Sequence, residues 1–216
     1  MQHARSPAAR VRMLQSLYMK HYEAKTFNLP PLTGLSPQQV QVHLALYEGY
    51  VKHVNLIMDK LAALRAQGAD ENAYLMAELR RRFAFEFDGM RMHEYYFEQF
   101  ESGAAALDES SALAAAATEK YGSPAGLVAH LKELAGTRGI GWVVAYYDPR
   151  IKSLHSVFVN DHEIGQLAGL PVVIALDLWE HAFMVDYKPS EKKTYVDVCL
   201  ENMNWQVAQE RFNAAA

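Results

Sequence analysis

Two long helical patterns joined by a very short turn constrain this chain more than any other feature of its sequence. The first begins at Ser36-Pro37-Gln38-Gln39, where serine can cap a helix, proline suits its first position and glutamine can reach back to the cap. It runs to about residue 66. After a break at Gly68-Ala69, a second pattern runs from Asp70 to Ser102-Gly103. We therefore expect an antiparallel helical hairpin whose apolar stripes face each other.

The apolar stripe of each predicted helix contains one histidine. The stripes recur every three or four residues and consist of Val40, His43, Tyr47, Tyr50, Val54, Ile57, Leu61 and Leu64 in the first helix and Leu75, Leu79, Phe83, Phe87, Met90, His93, Phe97 and Phe100 in the second. A single histidine on such a stripe is usually a hydrogen-bonded core residue, because an unpaired buried polar group costs about 1–3 kcal/mol. Here antiparallel packing brings His43 and His93 to the same end of the hairpin, where they could meet.

The rest of the chain changes from helical to strand patterning and back. The segments comprise two shorter helices at 109–121 and 123–135, three strands at 141–147, 153–159 and 172–176, and further helix from about Lys192. This order predicts an α+β fold: an N-terminal helical hairpin followed by a C-terminal subdomain with a small, three-stranded antiparallel sheet. We divide it into an extension at 1–26, a hairpin domain at 27–104 and an α+β domain at 105–216.

Composition excludes several classes of function. Lys+Arg number 21 against 25 Asp+Glu, the net charge is -4, and the longest basic block is Arg80–Arg82, so we expect no binding to nucleic acid. The apolar runs are shorter than the roughly 18 residues that cross a bilayer, so we expect no membrane partner. With Cys199 as the single cysteine, the chain can form no intrachain disulfide, four-cysteine zinc site or cysteine-ligated cluster. Any metal must be held by His, Asp or Glu.

The first 22 residues contain arginine and lysine but no acidic residue, since the first one is Glu23. This composition is found in organellar transit peptides, and a secretory signal is excluded by the lack of an apolar segment. The competing interpretation is a basic helical extension whose apolar side consists of Val11, Leu14, Leu17 and Tyr18. We expect the extension and a cytoplasmic location, with organellar import through residues 1–22 as the alternative.

The densest local motif is Asp177–Phe183, which follows the last apolar strand directly. It places a carboxylate, Asp177, four residues before an imidazole, His181. Alone, such a pair is more often a structural hydrogen bond than a metal site. If His43 and His93 converge on it, however, three nitrogens and one carboxylate result, and this set suits iron, manganese or zinc. A redox metal is the leading hypothesis.

Several further segments of the chain match the motifs of one known family in that family's order. They are Phe27–Leu32, His43 with Tyr50-Val51 and Asn55, Met92–Phe97, Gly139–Trp142, Asp177–Phe183 and Asn204-Trp205. Through them, most of the chain resembles the iron/manganese superoxide dismutase family. The resemblance implies metal ligation by His43, His93, Asp177 and His181, with solvent as a fifth ligand. It implies one iron or manganese ion per chain and superoxide as the substrate, converted to oxygen and hydrogen peroxide.

The resemblance also assigns roles around the metal. It places Tyr50 at the substrate entrance, Trp142 and Trp179 in the walls of the site, and Glu180 in contact with a ligand histidine of the partner in a homodimer, with a tetramer as the alternative. His162 lies near the position of the family's glutamine that hydrogen-bonds the metal-bound solvent. The other position of that glutamine holds Gly89, and the competing interpretation of His162 is a turn histidine that faces water.

Two departures from the family's pattern concern proton supply. Seven residues separate His43 from Tyr50, where eight are commonest. The family's second helical histidine and its partner tyrosine are replaced by Leu46 or Tyr47 and by Met184. Since the chain is mildly acidic, it must also focus positive potential locally to attract an anion.

Two rival functions stay open at this point. One is a catalytically silent metal-binding interaction module with the same fold, in which the ligands persist for stability. The other, a non-haem iron oxygenase, would need two histidines and one carboxylate with open positions. The choice between iron and manganese is also open, because both ions take the same ligands.

Overall fold

The computed structural model describes residues 20–216 and contains the predicted hairpin. Helix α1 covers Pro37–Gln67 and helix α2 covers Ala73–Glu98. The predicted serine cap is confirmed, since Ser36 Oγ accepts a hydrogen bond from the Gln39 N–H at 3.1 Å. The prediction that the glutamine side chain reaches back to the cap is wrong, because the Gln39 amide donates to the His181 carbonyl and accepts the Val185 N–H. Helix α2 is shorter than predicted at both ends. Residues 70–72 form a turn that precedes it, and residues 99–102 turn away after it, where Ser102 has a φ of +63° that a helix cannot continue.

Residues 20–26 lie along α1 without forming a helix of their own. The backbone of Tyr22 exchanges two hydrogen bonds with the Asn55 side chain, and the Lys25 N–H donates to the Tyr47 hydroxyl at 2.8 Å. The helical stripe predicted at Val11–Tyr18 lies outside the described residues. So does most of the segment considered for organellar import.

The remaining elements confirm the α+β prediction. They are helices α3 (Ala112–Tyr121) and α4 (Pro124–Ala135), strands β1 (Gly141–Asp148), β2 (Ser153–Asn160) and β3 (Val172–Asp177), short 3-10 helices at Glu180–Ala182 and Pro189–Glu191, and helices α5 (Lys192–Asn202) and α6 (Trp205–Ala215). The division into domains at residue 104 stays a prediction. Within residues 20–216, no helix is long and apolar enough to cross a membrane.

The three strands form one antiparallel sheet in the order β2-β1-β3. Trp142 at the start of β1 is paired with Val159 on β2 and with Asp177 at the end of β3. Gly141 before it has a φ of +140°, and a Cβ there would lie 2.0 Å from the Val159 carbonyl oxygen. Only glycine fits this position, which sets the tryptophan beside the end of β3.

A buried amide fixes α2 against the sheet. The Gln99 side chain, fully buried just after α2, donates to the Ala175 carbonyl at 2.5 Å and accepts from the Ala175 N–H at 3.3 Å. Ala175 lies two residues before Asp177, so this clamp determines where the end of β3 meets the end of the hairpin.

Candidate metal centre

Four side chains from four elements converge where the hairpin meets the sheet. His43 lies in the second turn of α1, His93 near the end of α2, Asp177 at the end of β3 and His181 in the following 3-10 helix. One ligand atom of each lies within 4.8 Å of the others. The predicted meeting of the two hairpin histidines is confirmed, with His43 and His93 ring centroids 5.0 Å apart.

Four of the distances among these atoms are those expected around a single metal ion. Asp177 Oδ2 lies 3.0 Å from His43 Nε2, 3.5 Å from His93 Nε2 and 3.4 Å from His181 Nε2. The Nε2 atoms of His93 and His181 are 3.3 Å apart. Two donors about 2.1 Å from one ion are separated by about 3.0–3.6 Å at bond angles near 90–120°. Three imidazole nitrogens and a carboxylate oxygen are ligands that iron, manganese and zinc accept.

Hydrogen bonds on the far side of the ligands set their orientation. His93 Nδ1 donates to the Gly89 carbonyl at 2.6 Å, which leaves Nε2 as the unprotonated nitrogen of a neutral ring. Asp177 Oδ1 accepts the Trp179 N–H at 2.8 Å, which leaves Oδ2 directed at the histidines. These contacts orient two of the four ligands, His93 and Asp177, toward the shared point.

The electrostatics of the cluster favour a bound cation. Burial lowers the pKa of His43, although Asp177 partly offsets this effect, and burial together with His43 lowers the pKa of His93 well below its ordinary value. Burial by itself would raise the pKa of Asp177, but the His181 and His43 imidazoles beside it hold its pKa far below the usual range. Neutral imidazoles at His43 and His93 and an ionised carboxylate at Asp177 are the protonation states in which these groups bind a metal.

A buried histidine and a tyrosine cover this cluster. His162 is fully buried, so the interpretation of a turn histidine that faces water is wrong. Its Nδ1 accepts the indole N–H of Trp142 at 3.0 Å, and its Nε2 lies 2.7 Å from the Tyr50 hydroxyl. Burial lowers the pKa of His162 to about 4, so the ring is neutral at pH 7.

The tautomer of His162 follows from these contacts. Because an indole N–H can only donate, Nδ1 must accept and Nε2 must carry the proton. Nε2–H therefore donates to the Tyr50 oxygen, and the Tyr50 hydroxyl proton is left free for another acceptor. Both nitrogens of His162 thus have protein partners, and Tyr50 is the member of the pair with a proton to offer.

Aromatic rings line the site, among them the two tryptophans that the resemblance to the family places in its walls. Trp142 is fully buried with its ring centroid 5.1 Å from that of His93, and Phe97 packs on His43 at 4.8 Å. Trp179 stacks on His162 at 4.7 Å and on His181 at 5.6 Å. Glu180, by contrast, is exposed and belongs to the outer surface.

The positions of the missing proton-supply pair hold residues with other tasks. Tyr47 is buried, and its hydroxyl accepts the Lys25 N–H and lies 3.2 Å from Glu94 Oε1, to which it donates. Leu46 and Met184 are exposed. Tyr47 therefore ties residues 20–26 to the hairpin.

Sequence reasoning missed Phe85, whose ring packs edge-on against His162 at 4.6 Å and lies 6.2 Å from the Tyr50 ring. Phe85 falls outside the apolar stripe of α2, between Phe83 and Phe87, and nothing in the helical spacing distinguishes it.

Known proteins similar to this chain agree with the geometry. The family model described as iron/manganese superoxide dismutases, C-terminal domain, matches residues 109–211. An iron superoxide dismutase of Cupriavidus metallidurans is 35% identical over 201 residues, which is 90% of this chain and 98% of the relative. A manganese superoxide dismutase of Halobacterium salinarum is 30% identical, covering 88% and 96%. A Mn/Fe superoxide dismutase of Propionibacterium freudenreichii is 32% identical, covering 78% and 83%. The chain therefore belongs to the iron/manganese superoxide dismutase family.

Proposed function

We propose that this chain is a superoxide dismutase and serves as an antioxidant enzyme, with one iron or manganese ion held by His43, His93, Asp177 and His181. The observation that carries the proposal is the convergence of these four ligand atoms within 4.8 Å. When bound, the ion supplies alternating one-electron oxidation and reduction, by which two superoxide anions and two protons become oxygen and hydrogen peroxide.

The protein supplies a negative charge beside the ion, a proton for the substrate and a site from which bulk water is excluded. The ionised Asp177 offsets the charge of the ion and favours its higher oxidation state. Burial, followed by the charge of Asp177, raises the pKa of Tyr50, so its hydroxyl stays protonated at neutral pH. Tyr50 Oη therefore holds a proton that His162 orients toward the entering anion. Trp142, Trp179 and Phe97 keep bulk water from the ligands.

Metal reconstitution tests the proposal. The purified chain is loaded separately with iron, manganese and zinc, metal content is measured, and superoxide decay is followed by pulse radiolysis. Zinc is the matched control, because it takes the same ligands but has no redox cycle. We expect rapid catalysed decay with iron, manganese or both, none with zinc, and loss of bound metal in Asp177→Ala. If iron and manganese forms are no faster than the zinc form, the chain is the catalytically silent module.

We further propose a homodimer, with a tetramer as the alternative. Gln39 donates to the His181 carbonyl and accepts the Val185 N–H, so the start of α1 lies beside residues 181–185. Next to this contact, the exposed apolar side chains are Val42, Leu46, Met184 and Val185. Apolar groups clustered on a surface favour a protein interface. Sedimentation should give twice the chain mass, and Leu46→Glu should shift it toward the monomer; a monomeric wild type would refute this.

The proposed location is the cytoplasm. The alternative is organellar import through residues 1–22, which are basic and contain no acidic residue, as transit peptides are. Fractionation of cells that express the full chain, with and without residues 2–19, tests the proposal. Import into an organelle that depends on these residues would overturn it.

A further inference from the structure

An arginine lies outside the Tyr50–His162 pair on the side of Phe85. The Arg82 Cζ is 3.6 Å from the centroid of the Phe85 ring, which packs in turn against His162 at 4.6 Å. The Arg82 side chain is half exposed. Its positive charge therefore stands one aromatic ring away from the pair that covers the metal centre, and it is in contact with solvent.

The guanidinium of Arg82 is fixed by one edge and open at the other. Its Nε donates to Glu86 Oε1 at 2.8 Å, and Glu86 is almost fully buried. Among residues 20–216, no acceptor takes a hydrogen bond from either terminal amino group of Arg82. A planar guanidinium with two free N–H-bearing nitrogens is suited to small oxygen anions.

The carboxylate that holds Arg82 also opposes its field. Glu86 Oε2 is buried without a hydrogen-bond partner among the described residues, and His53 Nδ1 lies 3.5 Å from it. The carboxylate lies inside the protein while the guanidinium reaches solvent. An incoming anion consequently meets the positive charge first, although Glu86 reduces its strength.

We propose that Arg82 attracts the superoxide anion to the Tyr50–His162 pair, and that Glu86 is a positioning residue that holds the guanidinium and limits its attraction. This inference rests on the proposed dismutase function and names the charge that guides its substrate. It gives a role to one member of the Arg80–Arg82 run in a chain whose net charge is -4. Local positive potential at a cleft raises the rate of anion capture even on an acidic protein.

A neighbouring arginine gives a matched control. Arg81 belongs to the same helix and carries the same charge, but it pairs with Glu78 and its side chain is 73% exposed. For the metal-loaded protein, Arg82→Gln should lower kcat/KM about tenfold at low ionic strength, at the lower end of the range for electrostatic steering. The loss should fade near 0.5 M salt, an ionic strength of about three times the physiological value, where screening is strong. Arg81→Gln should change kcat/KM at most about twofold and keep the wild-type salt dependence, since one distant charge contributes little.

Glu86→Gln distinguishes steering from a structural role by the sign of its effect. Glutamine can still accept the Arg82 Nε–H, but it removes the opposing charge. Steering predicts a higher kcat/KM at low salt, whereas a merely structural role predicts a loss for both variants. Optical titration with azide provides a readout besides activity: the dissociation constant should rise in Arg82→Gln and fall in Glu86→Gln.

The outcomes separate the inference from the proposed function. If the wild type does not consume superoxide, the function fails, and azide affinity still reports on Arg82. If the wild type is active but Arg82→Gln matches Arg81→Gln at every salt concentration, the inference alone is overturned. It is also overturned if Glu86→Gln lowers both kcat/KM and azide affinity. Should Arg82→Gln not fold, the sign of the Glu86→Gln effect decides.

Discussion

A methyl group added at Gly89 provides a sharp test of the packing beneath Tyr50. A Cβ at this helical position would lie 2.6 Å from Tyr50 Cδ1 and 2.8 Å from Cε1. Since carbon atoms pack at about 3.5–4.0 Å, the tyrosine ring would have to move by about 1 Å. Such a shift would strain the 2.7 Å hydrogen bond between the Tyr50 hydroxyl and His162.

Gly49 in α1 supplies the control that isolates this clash. A Cβ at Gly49 meets nothing within 4 Å, so Gly49→Ala gains only the helix propensity of alanine, about 1 kcal/mol. Gly89→Ala gains the same propensity but adds overpacking, which costs about 1–3 kcal/mol. We therefore expect the two variants to differ in free energy of unfolding by about 1–3 kcal/mol, with Gly89→Ala the less stable.

Urea denaturation of the metal-free proteins measures this difference without a contribution from metal binding. The metal-loaded Gly89→Ala variant should also lose activity, because Tyr50 is displaced from His162, while Gly49→Ala should keep it. Equal stabilisation of the two variants, with full activity in both, would show that the tyrosine ring is not held against Gly89.

Three further predictions address other parts of the structure. Burial, followed by the charge of Glu163, raises the pKa of Asp88 to about 6, so wild-type stability falls as pH rises from about 4 to 6. In urea titrations, Asp88→Asn should raise the free energy of unfolding by about 1–2 kcal/mol at pH 7 and by little at pH 4, and an equal gain at both pH values would refute this. In the same assay, Gln99→Leu should lower the free energy of unfolding by about 2–4 kcal/mol, because it leaves the N–H and the carbonyl of Ala175 unpaired. A decrease of less than about 1 kcal/mol would refute the clamp. His162→Gln should change the ratio of iron-dependent to manganese-dependent activity, and an unchanged ratio with unchanged activity would place His162 outside the machinery.

The elements of the fold could be predicted because each has a local signal. The cap at Ser36 and the breaker at Gly68 define α1, and strand-forming residues between turn residues define the sheet. The two ends of α2 could not be predicted from the local sequence. Its start depends on the Asn72 side chain, which donates to the Gly68 carbonyl at 2.8 Å, and its end on Gln99 turning toward β3.

The ligands could be predicted as candidates because spacing alone places His43 and His93 at one end of the hairpin. Helical spacing does not predict their convergence with Asp177 and His181, which depends on tertiary contacts; only the resemblance to the family implied it. The Arg82–Phe85 contact is of the same kind: an i, i+3 pair is common on helices, and only the fold places this one against His162.

The seven-residue interval from His43 to Tyr50 is compatible with the packing of Tyr50 because position 89 is a glycine. Seven residues from His43 turn a helix by about 700°, or 20° short of two full turns, so Tyr50 projects toward α2 almost as directly as the ligand does. At this angle its ring lies over His93, with centroids 5.1 Å apart, in the space that any side chain at 89 would occupy. With Gly89 there, the hydroxyl still reaches His162. A glutamine at position 89 is therefore incompatible with a tyrosine at this register, and the polar partner of Tyr50 comes instead from the turn after β2, as His162.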